Sequence, residues 1–339
     1  MSLSVPPVVI GLLLFLVGVA LVVGSVETFV EAIAESALGL GVSGFFLTVV
    51  LAGADLENAV LGVAAVSEGL PGLALGTVFG EALFILGVGV GLAGVFTAFE
   101  TDVPRAYLLL MLGAPALLLV LSLDGTLDRL DGVVLTAAYL PLLLVVYGLE
   151  RRSDARYLAA DALDGGTDET FELDLDFDLD VTEPHLDRLR ERYEGWFELG
   201  VAVLAAVGMA IGSELAVTGA RSLLTAFGVT GLAFGATVMS FVASIEEVLL
   251  TVEPVRRGAP EIGVGNVVGS MLFFVTANAG IIALIRPIDT SGAVFTVHWP
   301  FFLALLTVVG VALARGRVGR TTGAVLLVGY AAYWAANLL

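Results

Sequence analysis

Two adjacent glutamates, Glu246 and Glu247, stand in the run SFVASIEEVLL (residues 240–250), which is otherwise suited to lipid. An ionised carboxylate is expensive in hydrocarbon, so such a residue lines a cavity, pairs with another group or holds an ion. The chemistry open to it is coordination, because hard cations such as calcium take about six to eight oxygens, largely from carboxylates and carbonyls. The alternative is structural: a helix end at the level of the lipid headgroups.

A repeat in the sequence bears on the choice. Residues 48–84 laid on 237–273, a constant shift of 189 without a gap, coincide at 14 of 37 positions. Apolar segments often match through Val, Leu, Gly and Ala. Here, however, Gly69-x-Pro71 coincides with Gly258-x-Pro260, Gly76 and Gly80 with Gly265 and Gly269, and Glu57 with Glu246. The partner of the glutamate pair is AGADLENAVLG (52–62), where Asp55, Glu57 and Asn58 take the places of Ser244, Glu246 and Glu247. Alongside run GTVFGEALF (76–84) and GNVVGSMLF (265–273), whose Thr77, Glu81, Asn266 and Ser270 offer further oxygens. Their glycines permit close backbone approach or unwinding, although this spacing is also a common helix-packing device. Asp55, Glu57, Glu81, Glu246 and Glu247 can converge on one place, with more charge than a monovalent ion needs.

The elements that must position these groups are membrane helices. With 58% hydrophobic residues, a mean hydropathy of +1.00 and 41 glycines in 339 residues, the chain is too apolar for a soluble protein. Apolar runs of about 20 residues, enough to span the hydrocarbon, occur near 5–25, 38–66, 72–96, 105–123, 129–149, 196–223, 226–253, 261–286, 294–314 and 321–339. The first lacks the basic flank of a cleavable signal peptide and reads as a membrane helix. Five runs lie on each side of one long polar segment, dividing the chain into 1–149, a linker over 150–195, and 196–339. An odd number of spans per half makes the second repeat enter the membrane from the opposite side. The expected fold is an all-α polytopic membrane protein of ten transmembrane helices, arranged as two inverted five-helix repeats. That architecture places a binding site near the midplane, on broken or unwound helices.

All 15 basic residues are arginine and 34 acidic residues bring the net charge to −19, a composition that fits a protein bathed in high salt and suggests a halophilic source. Residues 164–183 carry nine Asp or Glu and no arginine, without the spacing of a calcium-binding loop, and read as a solvated linker. With the N-terminus outside, 12 of the 15 arginines fall in inside loops, so both termini are expected outside and the 150–195 linker in the cytoplasm. There is no cysteine, which excludes disulfides and thiolate metal sites.

In these features the chain resembles the calcium/cation antiporter superfamily, which includes the sodium/calcium exchangers. That family has ten spans in two inverted halves, with repeats reading Gly-Thr-Ser-x-Pro-Glu and, further on, Gly-Asn-x-x-Gly-Ser-Asn. GVGNVVGS (263–270) matches the second element closely and VASIEE (242–247) the first loosely, with Glu247 at the glutamate. The resemblance implies ion ligation by Glu247, Ser244 and Ser270. The first repeat departs from the pattern: Asn58 stands at the glutamate position, Asp55 and Glu81 at the two serine positions, and the proline position is a glutamate in both copies. The family's later Asn or Asp is Ile85 in one copy and Phe274 in the other, which removes two expected oxygens.

The expected function is secondary active cation antiport, Ca2+ against Na+, through a midplane carboxylate site by alternating access. Protons are the alternative coupling ion, since crowded buried carboxylates tend to share one, and a passive cation channel is the other alternative. No phosphate loop or nucleotide motif is visible, so no cofactor is expected; the partners are inorganic cations and the bilayer of the cell membrane, with no nucleic acid. The adjacent glutamates also invite comparison with intramembrane metalloproteases, which need Glu-Glu-x-x-x-Arg and helical histidines. Position 251 is Thr251, and His185 and His298 have no partner at ligand spacing, so an enzyme is not expected.

Overall fold

The computed structural model describes residues 6–39, 55–150 and 196–338; residues 151–195 of the acidic linker and positions 48–54 of the repeat lie outside the described residues. The regular structure among the described residues is helical apart from four two-residue strands. In chain order these are α1 (Pro7–Gly39), α2 (Leu56–Ser67), α3 (Pro71–Phe96), β1 (Phe99–Glu100), α4 (Arg105–Leu121), β2 (Thr126–Leu127), α5 (Arg129–Glu150), α6 (Trp196–Phe227), α7 (Gly231–Ala243) and α8 (Ile245–Arg256). They continue with α9 (Pro260–Ile285), β3 (Ile288–Asp289), α10 (Val294–Ala314), β4 (Arg317–Val318) and α11 (Arg320–Leu338). Among the described residues, six helices are long and apolar enough to cross a bilayer, seven when α7 and α8 are taken as one bent span.

Two elements differ from the hydropathy reading. The first helix runs 33 residues to Gly39, well past position 25. The continuation, VETFVEAIAES, intersperses the good helix formers Ala and Glu among its apolar residues and holds no Gly or Pro, so the helix outlasts the apolar run. The span expected over 226–253 is broken, with α7 and α8 meeting at 52° around Ser244 (φ −109°, ψ 24°).

The 189-residue shift recurs in the structure. It carries the bounds of α2 onto α8, of α3 onto α9 and of β1 onto β3. The local cause is the Gly-x-Pro in both copies. Gly69 (φ 79°) and Gly258 (φ 85°) take the left-handed conformation that ends a helix, and Pro71 and Pro260 occupy the first turn of the next. The amide between them turns back in each copy, Leu70 N to the Ala65 carbonyl (2.8 Å) and Ala259 N to the Pro254 carbonyl (2.9 Å). Both α3 and α9 also contain a π-helical segment, Ile85–Gly89 and Phe273–Asn278.

The strands pair across the halves. β1 pairs antiparallel with β4 and β2 with β3. Helix α4 leads from β1 to β2 and α10 leads from β3 to β4, so α10 starts where α4 ends and ends where α4 starts. The equivalent helices of the two halves therefore run in opposite directions. In the interior, α3 crosses α7 at Gly76 and Gly235, where a Cβ on either glycine would strike backbone atoms of the other helix. Helices α1 and α6 touch by backbone too: a Cβ on Gly18 would meet Gly212 and Ala216, and one on Gly219 would meet Gly11 and Phe15.

Candidate cation site

Asp55 caps α2, its carboxylate accepting from the backbone N–H of Asn58 (3.1 Å) and from the Asn58 side-chain amide. Ser244 holds the equivalent place before α8. Glu57 and Asn58, Glu246 and Glu247 thus lie in the first turns of two repeat-related helices, where unpaired N–H groups accommodate acidic side chains. Carboxylate oxygens of Asp55, Glu57 and Glu247 come within 4.8 Å of one another, which joins the two halves at one point. Glu246 stays outside this group, half-buried, within electrostatic range of Asp55 and of Glu27 on α1.

The second pair of segments surrounds that group. Glu81 on α3 is fully buried, 0% exposed, and accepts from the side-chain amide of Asn278 at 3.4 Å. It feels the charges of Asp55 and Glu57 but is not one of the three converging carboxylates. Asn266 on α9 donates to the Glu247 carbonyl (3.1 Å) and to Thr251 Oγ1 (3.1 Å), and Thr251 donates to the same carbonyl (2.8 Å). Asn266 therefore braces the first turn of α8. Thr77 Oγ1 donates to the Ala74 carbonyl (2.7 Å), and Ser270 is buried on α9.

Nine buried side-chain nitrogen or oxygen atoms lack a hydrogen-bond partner among the described residues, and five of them lie here: Asn58 Oδ1, Glu81 Oε1, Ser244 Oγ, Glu247 Oε2 and Asn278 Oδ1. Folded proteins leave few such groups unpaired. Four of these five are amide or carboxylate oxygens that only accept, and such oxygens left without donors suit the coordination shell of a cation better than a hydrogen-bond network. Neither 48–66 nor 237–253 contains an arginine that could neutralise them instead.

Sequence reasoning missed Asn278, Thr251, Glu27 and Tyr139, whose unpartnered hydroxyl lies in the electrostatic range of Asp55. Asn278 is eight residues beyond Ser270, off its face at helical spacing, and no sequence signal marks the π segment that re-aims it. Glu27 could have been found from the acidic stripe at 27, 31 and 35.

A model of the sodium/calcium exchanger protein family matches residues 10–148 and 197–339, leaving out the acidic linker. The chain belongs to that family. It is 27% identical over 332 residues to the inner membrane protein YrbG of Escherichia coli, covering 96% of this chain and 95% of YrbG. Solved structures of the sodium-calcium exchanger NCX_Mj share the fold. One soaked with Na+ and Sr2+ superposes with a TM-score of 0.54 at 20% identity, over 97% of this chain and 98% of that one. Another, soaked with neither Na+ nor Ca2+, gives 0.52 at 20% identity, over 97% and 99%. The family is one of exchangers, not of enzymes, and this member is a multi-pass protein of the cell membrane.

Proposed function

We propose that this exchanger is a secondary active antiporter that moves Ca2+ against Na+ by alternating access. Asp55, Glu57 and Glu247 are its principal ligands, with Asn58, Ser244, Ser270, Glu246, Glu81, Thr77 and Asn266 around them. The observation that carries the reading is the 4.8 Å convergence of three carboxylates from both halves. Calcium binds oxygens at about 2.3–2.6 Å, so two oxygens on opposite sides of the ion stand about 4.6–5.2 Å apart. The group spans one calcium ion. With all three carboxylates ionised around a bound ion, their charge exceeds that of a divalent cation by one, which leaves room for unequal loading with monovalent ions.

Equivalent helices running in opposite directions support a ten-span arrangement of two inverted five-helix repeats. Such a pair of halves can exchange conformations, opening the same site to one face and then to the other. The arginine distribution supports termini outside and the acidic linker in the cytoplasm. The test is uptake of radioactive calcium into proteoliposomes under an imposed sodium gradient, with a proton gradient as the parallel arm. Calcium accumulated uphill against outward sodium supports the reading. Uptake driven only by protons replaces sodium as the coupling ion, and downhill flux with no coupling to either would make the protein a channel.

A further inference from the structure

Helix α5 supplies none of the oxygens assigned to the cation site, yet it carries polar side chains into the interior. Between Gly132 and Val146 its only polar residues are Thr136 and Tyr139, three apart and on one face. That face is held against α9 by backbone contact. A Cβ on Gly132 would meet Leu284 N at 2.7 Å and the Gly280 carbonyl at 2.9 Å, and one on Gly280 would meet Thr136 N at 2.6 Å. The Tyr139 ring stands edge-on to Phe273 of α9, with centroids 5.6 Å apart. Ten residues separate Tyr139 from the start of α5 at Arg129, about 15 Å along the axis, or half of a hydrocarbon core of about 30 Å. Packing thus fixes the Tyr139 hydroxyl near the midplane. There it is buried with no hydrogen-bond partner among the described residues. Of the three converging carboxylates, Asp55 is the one whose charge reaches it.

A hydroxyl buried without a partner carries a cost that a phenylalanine of the same shape avoids. Its use lies with a group that can turn toward it. Asp55 is half-buried, and both its oxygens accept from Asn58, one from the backbone N–H at 3.1 Å and the other from the side-chain amide. A carboxylate that ligates a cation is itself held in place by hydrogen bonds from groups behind it. We propose that Tyr139 is a positioning residue of the cation site, its hydroxyl donating to the Asp55 carboxylate when that carboxylate binds the ion. The Asn58 side chain, released from Asp55, is then free to turn its unpartnered Oδ1 to the ion. Tyr139 acts on the ion only through Asp55. The inference rests on the reading of Asp55 as a calcium ligand given above, and its test separates the two.

The experiment is thermal unfolding of the purified full chain in detergent, titrated with CaCl2 from a chelator buffer, with calcium exchange in proteoliposomes alongside. Tyr139→Phe keeps the ring against Phe273 and removes only the hydroxyl. It is expected to raise the calcium midpoint about tenfold or more, the usual effect of losing a hydrogen bond behind a metal ligand. Half-saturating calcium for exchange rises by the same factor, with the maximal rate within about twofold of wild type. In chelator the variant unfolds no earlier than wild type, because the hydroxyl it lacks had no partner. Thr136→Val is the control. It removes another buried, unpartnered hydroxyl about one turn away on the same face, and its calcium midpoint is expected within about twofold of wild type. A Tyr139→Phe midpoint equal to wild type's, an equal rise in Thr136→Val, or early unfolding in chelator with the midpoint unchanged overturns the positioning role and leaves the calcium site standing. A wild type that gains no stability from calcium overturns the calcium reading and the positioning role with it.

Discussion

Replacing Glu247 by glutamine separates an ion ligand from a structural carboxylate by the sign of its effect on stability. Glu247 is 5% exposed, one of its oxygens has no partner, and its carboxylate lies within 4.8 Å of those of Asp55 and Glu57. At an effective dielectric constant of about 20, two like charges at that separation repel by about 3 kcal/mol. Partial exposure of Asp55 and Glu57 and sharing of protons reduce this. In the ion-free protein, Glu247→Gln removes two such repulsions and leaves shape and volume unchanged, so its stability is expected to equal the wild type's or exceed it by up to about 3 kcal/mol. A carboxylate held for structure would behave in the opposite way, because losing its buried hydrogen bonds costs about 1–3 kcal/mol. With calcium at a hundred times its dissociation constant, wild type gains about 2.7 kcal/mol by mass action and the variant gains almost none. The assay is thermal unfolding in chelator and in calcium, with calcium exchange in proteoliposomes alongside. A variant that exchanges calcium normally, or that unfolds earlier than wild type in chelator, refutes the ligand role.

Exchange should fall as pH drops, because protons compete with the cation for the same carboxylate oxygens, and the calcium concentration for half-maximal uptake should rise with each step of acidification. Outside the membrane, Asp128 caps α5 by accepting from Leu130 N (2.7 Å) and Asp131 N (3.0 Å), which holds its carboxyl below the ordinary carboxylate range. Its contribution to stability is therefore present above that range and lost as pH falls through the lowered value; Asp128→Asn should flatten the stability profile at that acid end, read by chemical denaturation. Gly76→Val should abolish stable expression, since its branched side chain would meet the Leu232 carbonyl and Ala236 N across α7, whereas Gly113→Ala on α4, where a Cβ meets nothing, should be tolerated; size-exclusion profiles distinguish the two. Cysteines placed at Ser2 and Thr101 in this cysteine-free chain should label from opposite sides of the membrane with an impermeant reagent, and labelling from one side would contradict the ten-span order. Deleting residues 164–183 should leave exchange in vesicles nearly intact.

The repeat was legible because it is written in residues with special backbone roles. Gly69 and Gly258 must take positive φ, and Pro71 and Pro260 must open a helix, so the two turns survive wherever the rest of the apolar sequence drifts. The carboxylates were legible because a charge amid lipid-compatible residues needs a reason. The end of α1 was not, since hydropathy measures burial in lipid while helix propagation follows propensity and side-chain spacing. The π segments were not either: one extra residue per turn leaves no compositional trace, yet it decides whether Asn278 faces Glu81 or another part of the bundle.

The pairing of β1 with β4 has a consequence for how the protein is made. Glu100 waits for Arg317, more than two hundred residues later in the chain. At about 5–20 residues per second of synthesis, the ribosome delivers that partner roughly 10–40 s after β1 has left it. During this interval the first half is already in the bilayer with two strand edges open, at β1 and β2, and β3 can close only the second of them. Biogenesis of this chain therefore cannot finish half by half. A nascent chain stalled before Arg317 keeps an unpaired edge at the membrane surface, a mark by which quality-control proteases could tell an incomplete chain from a finished one.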